Sequence, residues 1–342
     1  MKMKIILAML VSVVASGISA QTNAIAMNES KHKNCAVSCQ SHTHQKFETV
    51  TFNNNGLKMA GNLYLPANFE EGKKYAAIIT VHPGGGVKEQ TAGLYAQKMA
   101  EQGYVTLAFD ASHQGDSEGL PRGLEDPAQR IEDIKSAVDY VTTLKYVDAD
   151  QIGLIGTCAG GGYSLNAAQT ERRIKAVAVA SPVSVGADKD WNGKNPVSYD
   201  VLAEVAKQRS AEANGAEPIY INYVPEKPDA NTPNDLREAY EYYRTPRAQH
   251  PNSNNKFLFT SLDKMIAFDA FGKIGTLLKQ PVLIVVGTKA GSKWQGESVY
   301  KLINSPKELY LVEGATHMDL YDIPKYVTPT VIKMAAFFGK NL

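Results

Sequence analysis

Gly156, Thr157, Cys158, Ala159 and Gly160 place a nucleophile between two glycines at the spacing of Gly-x-Ser-x-Gly, with cysteine where the serine usually stands. A short apolar run, IGLI, leads into them and a helical pattern leads out. A side chain presented at so sharp a strand-to-helix turn sits on a strained backbone, so the flanking positions must clear both strand and helix. The helix would also aim its free amides and positive dipole end at the sulfur, favouring thiolate over thiol. The pattern points to an enzyme with Cys158 as its nucleophile.

The rest of the chain bounds what that enzyme can be. With 342 residues, 44% hydrophobic and 21% charged, it has enough apolar content for one large α/β domain. A net charge of +1 without a long basic run gives no electrostatic basis for binding nucleic acid. Lys2 and Lys4, an apolar stretch from Ile5 to Ala15 and the small residues SGISA have the layout of a secretory leader, cleaved after Ala20 or after Ala26. That stretch falls short of the roughly 20 apolar residues a bilayer span needs, so the expected product is periplasmic or secreted, without stable membrane insertion. Residues 21–45 form a polar arm with Cys35, Cys39 and several histidines, to be closed by a disulfide or left without fixed structure; no metal site and no cofactor is expected. Cys158 is then the unpaired thiol. Oligomeric state is left open.

The elements that must hold the nucleophile begin at residue 46. Alternating segments at 47–53 and 57–65, joined through Asn54, Asn55 and Gly56, predict a β-hairpin. Continuous apolar runs follow at 75–81, 104–110, 152–156, 174–180, 281–287 and 308–314. Amphipathic helical patterns lie between or after them at about 88–102, 127–145, 160–170, 295–304 and 325–339. Strands apolar on both faces and separated by helices imply a mostly parallel sheet covered on both sides. About a hundred residues separate the runs at 174–180 and 281–287, far more than a simple connection needs. This insertion, with helical stretches near 199–213, 233–245 and 262–273 and eleven aromatic residues, is read as a helical lid over about 185–275. Of its aromatic residues, most are expected to form the lid's own small core and some to line a cavity beside the nucleophile.

Four motifs in order, His82 to Gly86, the DASHQGDS run from Asp110 to Ser117, Gly156 to Gly161, and Gly314 to His317, make residues 46–342 resemble the α/β-hydrolase superfamily, nearest its dienelactone hydrolase-like branch. The likeness extends to lid-bearing bacterial members with a DLYD run after the histidine. It implies an α/β-hydrolase fold, with the lid inserted between the sixth and seventh strands of the sheet. His317 becomes the general base, and the oxyanion hole is formed by the amide of Ala159 with that of Gly84 or Gly85. His82 and His113 would shape the pocket or bond backbone groups, and Arg122, in a loop expected to be locked by side-chain-to-backbone bonds, could reach a substrate carboxylate. The superfamily's acid usually follows the seventh strand as Gly-x-x-Asp, where this chain has Ala290. Glu297 is the nominal replacement and Asp319 the second, with a Cys–His dyad lacking any carboxylate as the remaining option.

These assignments imply an exported hydrolase that cleaves a small-molecule ester, lactone or thioester through an acyl-Cys158 intermediate. A peptidase of the prolyl-peptidase type and a catalytically silent binding protein are the alternatives on the same fold.

Overall fold

The computed structural model describes residues 47–342; the leader with its two cleavage positions and the Cys35/Cys39 arm lie outside the described residues. The first half runs β1 (Phe47–Asn54), β2 (Leu57–Tyr64), β3 (Tyr75–Val81), α1 (Thr91–Ala100), β4 (Val105–Phe109), α2 (Pro127–Thr142), β5 (Val147–Thr157), α3 (Ala159–Ala168) and β6 (Ile174–Ala180). An inserted segment then contains α4 (Val201–Ala213), β7 (Tyr220–Asn222), α5 (Asn234–Arg244), β8 (Lys256–Leu258), α6 (Leu262–Ile266) and α7 (Ile274–Leu277). The chain returns through β9 (Val282–Gly287), α8 (Lys293–Leu302), β10 (Lys307–Val312), α9 (Asp319–Asp322) and α10 (Pro324–Asn341).

Eight strands form one sheet in the order β1-β2-β4-β3-β5-β6-β9-β10. From β4 to β10 the pairings are parallel, and β1 and β2 add an antiparallel edge. The edge hairpin turns at Asn55 and Gly56, both at positive φ (50° and 92°), as a two-residue hairpin loop of this hand requires. The central strands are apolar on both faces because both are covered. Ala77, Ile79 and Val81 of β3 share a core with Ile134 and Val138 of α2 and with Leu165 of α3, while Ile78 packs with Tyr95 of α1 and Phe338 of α10. Among the described residues no helix is long and apolar enough to cross a membrane.

The insertion departs from the predicted pattern in two places. It carries a small hairpin, β7 paired with β8, that the sequence pattern did not reveal. The helix predicted over 262–273 is realised only as α6, because the Asp269 side chain accepts the Phe271 amide at 2.9 Å and holds the backbone in a turn, and α7 begins beyond the predicted range. The lid is tied down at the hairpin, where the Leu258 amide donates to the Gly123 carbonyl at 2.9 Å.

The loop after β4 is fixed by buried charge. Asp110 accepts from the Lys88 amide, the Lys88 ammonium and the Asp116 amide, each at 2.8 Å. Among the described residues, Glu89, Asp110 and Asp116 are the one carboxylate group close enough to share a cation, and the Lys88 ammonium lies within 2.6–2.8 Å of all three. Burial works against that ammonium, yet Asp110 and the other two carboxylates hold it charged, its pKa above the usual lysine range. Arg122, expected at the substrate, instead donates to the carbonyls of Ser117 and Gly115 and so locks the same loop. Removing one partner of such a buried pair strands the other, so Lys88→Met should destabilise the fold by about 3–5 kcal/mol in urea unfolding. The double variant Lys88→Met/Asp110→Asn should recover part of that loss.

Candidate active site

The sheet delivers Cys158 at the carboxyl end of β5, where the backbone takes φ 57° and ψ −123° before α3 begins. That conformation is held by its neighbours: the Cys158 amide donates to Ala180 O, and its carbonyl accepts from Val183 N, both at 3.0 Å. The two glycines are there for clearance. A Cβ on Gly156 would lie 2.4 Å from Gly160 O, and one on Gly160 would lie 2.4 Å from Val81 O.

Two of the amides expected in the oxyanion hole reach the sulfur, since the backbone N–H groups of Ala159 and Gly84 hydrogen-bond to it. Of the two candidates Gly84 and Gly85, it is the Gly84 amide that reaches the sulfur. Gly85, at φ 71°, serves a different end: a Cβ there would sit 2.8 Å from the Tyr223 ring, so the glycine makes room for a lid aromatic.

His317 lies between β10 and α9, 1% exposed, with the edge of Trp191 against its ring at 4.8 Å between centroids. Its Nδ1 is 2.6 Å from Ser292 Oγ, and its Nε2 is 3.2 Å from the Tyr321 hydroxyl. Here the predicted acid is corrected. Glu297 points along α8 into an ion pair with Lys293 at 2.7 Å, and Asp319 accepts the Thr316 amide at 3.0 Å to close its own loop. The side chain brought to Nδ1 is instead the neutral hydroxyl of Ser292, the residue immediately before α8.

The other predicted pocket residues lie outside the cavity. His82 accepts the Ala111 amide at Nε2 (3.1 Å) and bonds Pro83 O through Nδ1 (2.8 Å), which assigns a neutral ring with its proton on Nδ1. Burial and the nearby Arg130 guanidinium hold its pKa well below the usual histidine value. His113 bonds Pro121 O within its own loop. Besides Ser292, two contributors were missed by sequence reasoning. Glu125 lines the cavity, with its carboxylate accepting from Tyr163, Tyr223 and Gln114 at 2.6–2.9 Å. Tyr321 hydrogen-bonds the Cys158 sulfur as well as His317, and only its place four residues after His317 in the DLYD run could have signalled it.

These groups face a cavity of about 230 Å³, walled on the lid side by Trp191, Tyr223, Leu236, Tyr243 and Met265. Tyr242, Phe257 and Phe259 are buried in the main core that also takes in the sheet, rather than in a separate core of the lid. Burial also reverses the expected ionisation. It pushes the Cys158 thiol up to about 11, against the two amides and Tyr321, and pushes the His317 imidazole down to about 3. At rest the pair is a thiol and a neutral imidazole.

The strand order, the elbow between β5 and α3, and the histidine after β10 define an α/β hydrolase. Residues 55–319 match the X-Pro dipeptidyl-peptidase family (S15 family), and the chain belongs to that family. It is 44% identical over 304 residues to the uncharacterized protein YcjY of Escherichia coli K12, covering 87% of this chain and 99% of that one. The crystal structure of the hypothetical protein PA2218 from Pseudomonas aeruginosa superposes with a TM-score of 0.81 at 34% identity, covering 88% and 95% of the two chains. A dienelactone hydrolase from Anabaena variabilis matches with a TM-score of 0.51 at 15% identity, covering 87% and 100%, a likeness of fold.

With the thiol held protonated at rest, alkylation of native protein by iodoacetamide, followed by mass spectrometry, should climb with pH through 9 and on toward about 11; a plateau reached below pH 8 would mean a resting thiolate. Ser292→Asp would place a carboxylate at Nδ1 and raise the His317 pKa by about 1–3 pH units, read from ring NMR resonances.

Proposed function

We propose that the protein is an exported hydrolase that cleaves small neutral esters, lactones or thioesters through an acyl-Cys158 intermediate. The observation that carries this reading is the convergence of the Gly84 and Ala159 amides on a sulfur that opens into an apolar cavity. Sulfur attacks the carbonyl carbon as its proton passes to His317, and the oxygen that gains charge is stabilised by the two amides. The imidazolium then protonates the leaving group. Water, deprotonated by the same histidine, releases the acid and restores the thiol. Export rests on the leader-like residues 1–20.

The cavity wall bears on the substrate's charge. Among the described residues it includes Glu125, Asp190 and Asp235 and no lysine or arginine, so a carboxylate-bearing substrate would enter without a counter-charge. The family match favours a second reading, release of an X-Pro dipeptide. Against it stands the leaving-group order, because a tetrahedral adduct expels a thiolate more readily than an amine.

Cys158→Ala should lower kcat/KM for p-nitrophenyl butyrate by at least about 10³-fold with an unchanged melting curve. Wild type should favour that ester over p-nitrophenyl hydrogen succinate by at least about tenfold and leave Gly-Pro-p-nitroanilide intact. Turnover of the anilide in preference to the esters would establish the peptidase reading instead, and ester turnover that survives Cys158→Ala would remove the nucleophile.

A further inference from the structure

We propose that the Tyr321 phenol carries the thiol proton from Cys158 to His317. Its hydroxyl is bonded to the sulfur and lies 3.2 Å from Nε2, so one group touches both ends of the transfer. The phenol is buried and held in place: Tyr242 packs edge-on at 5.0 Å, Tyr243 at 6.5 Å, and the Tyr321 carbonyl accepts from Thr91 Oγ1 at 3.0 Å. These contacts hold the hydroxyl between the two ends of the transfer.

The step balances within the chain. The S–H bond breaks as an O–H bond forms on Tyr321, while the phenol's own O–H breaks as an N–H bond forms at Nε2. The products are a thiolate and an imidazolium, with the phenol neutral before and after. Concerted passage suits this phenol, since burial and the neighbouring Cys158 hold its pKa well above the ordinary tyrosine value and oppose a free phenolate. Ser292 at Nδ1 keeps the imidazole oriented to receive the proton.

The kinetic part rests on the acyl-cysteine reading, whereas alkylation needs no acyl substrate and tests the relay separately. Wild type, Tyr321→Phe, His317→Ala and protein with 3-fluorotyrosine at 321 would be alkylated with iodoacetamide at pH 7 and pH 10. The relay predicts that Tyr321→Phe and His317→Ala each slow the reaction at pH 7 by about tenfold or more, that all four agree within about threefold at pH 10, where hydroxide takes the proton, and that 3-fluorotyrosine restores the pH 7 rate. With p-nitrophenyl acetate, the acylation burst in H2O/D2O mixtures should show a curved, two-proton dependence in wild type and a linear one in Tyr321→Phe. Alkylation of Tyr321→Phe at the wild-type rate at pH 7 would overturn the relay in favour of direct transfer, and equal slowing at both pH values would overturn it in favour of a structural role. The alkylation pattern without ester turnover by wild type would sustain the relay and sink the hydrolase reading.

Discussion

Exclusion of water from Cys158 and His317 is the constraint on which the site depends. Both residues are at most 4% exposed, and burial alone is enough to hold the thiol protonated and the imidazole neutral across the ordinary pH range. A neutral pair stores no charge in a low-dielectric cavity, so the resting state avoids the desolvation cost that an ion pair would carry there. In the proposed acylation, charge appears only during attack, when the Gly84 and Ala159 amides already face the reacting atoms. Tyr321 and the two amides work toward thiolate, but their effect is smaller than that of burial.

The ionised side chains near the cavity serve as scaffold. Lys88 with Asp110, Asp116 and Glu89 fixes the loop after β4. Arg130 donates to the His82 carbonyl at 2.7 Å, lies 3.7 Å from Glu125 and stacks over the Tyr163 ring at 5.0 Å. Glu125 in turn holds Tyr223 against Gly84 and Gly85. One buried network therefore links the oxyanion loop to the lid wall, and a shift of the lid hairpin would be felt at the amides.

Regular local patterns were legible in the sequence. The Asn55–Gly56 turn, the doubly apolar strands and the clearance glycines each report a backbone requirement that nearby residues settle, and the placement of Cys158, Ala159, Gly84 and His317 follows from it. What was not legible depends on distant packing. His82, His113 and Arg122 were expected at the pocket, yet His82 bonds the Ala111 amide and Pro83 O, and His113 and Arg122 bond carbonyls of the loop after β4. The raised thiol pKa comes from burial, to which distant segments such as Tyr223, Tyr243 and Tyr321 around the cavity contribute, so the elbow by itself could not supply its direction.

Ser292 shows why the missing carboxylate is consistent with a cysteine nucleophile. A serine hydroxyl is a weak acid, and its base gains from a carboxylate that stabilises the imidazolium. A thiol gives up its proton more easily, so a weaker base is sufficient, and a buried carboxylate beside His317 would itself need compensation in this apolar wall. A hydroxyl at Nδ1 orients the ring without adding charge. The same reasoning explains a phenol at Nε2: both partners of the imidazole are neutral hydroxyls, matched to a site whose resting charge is kept at zero.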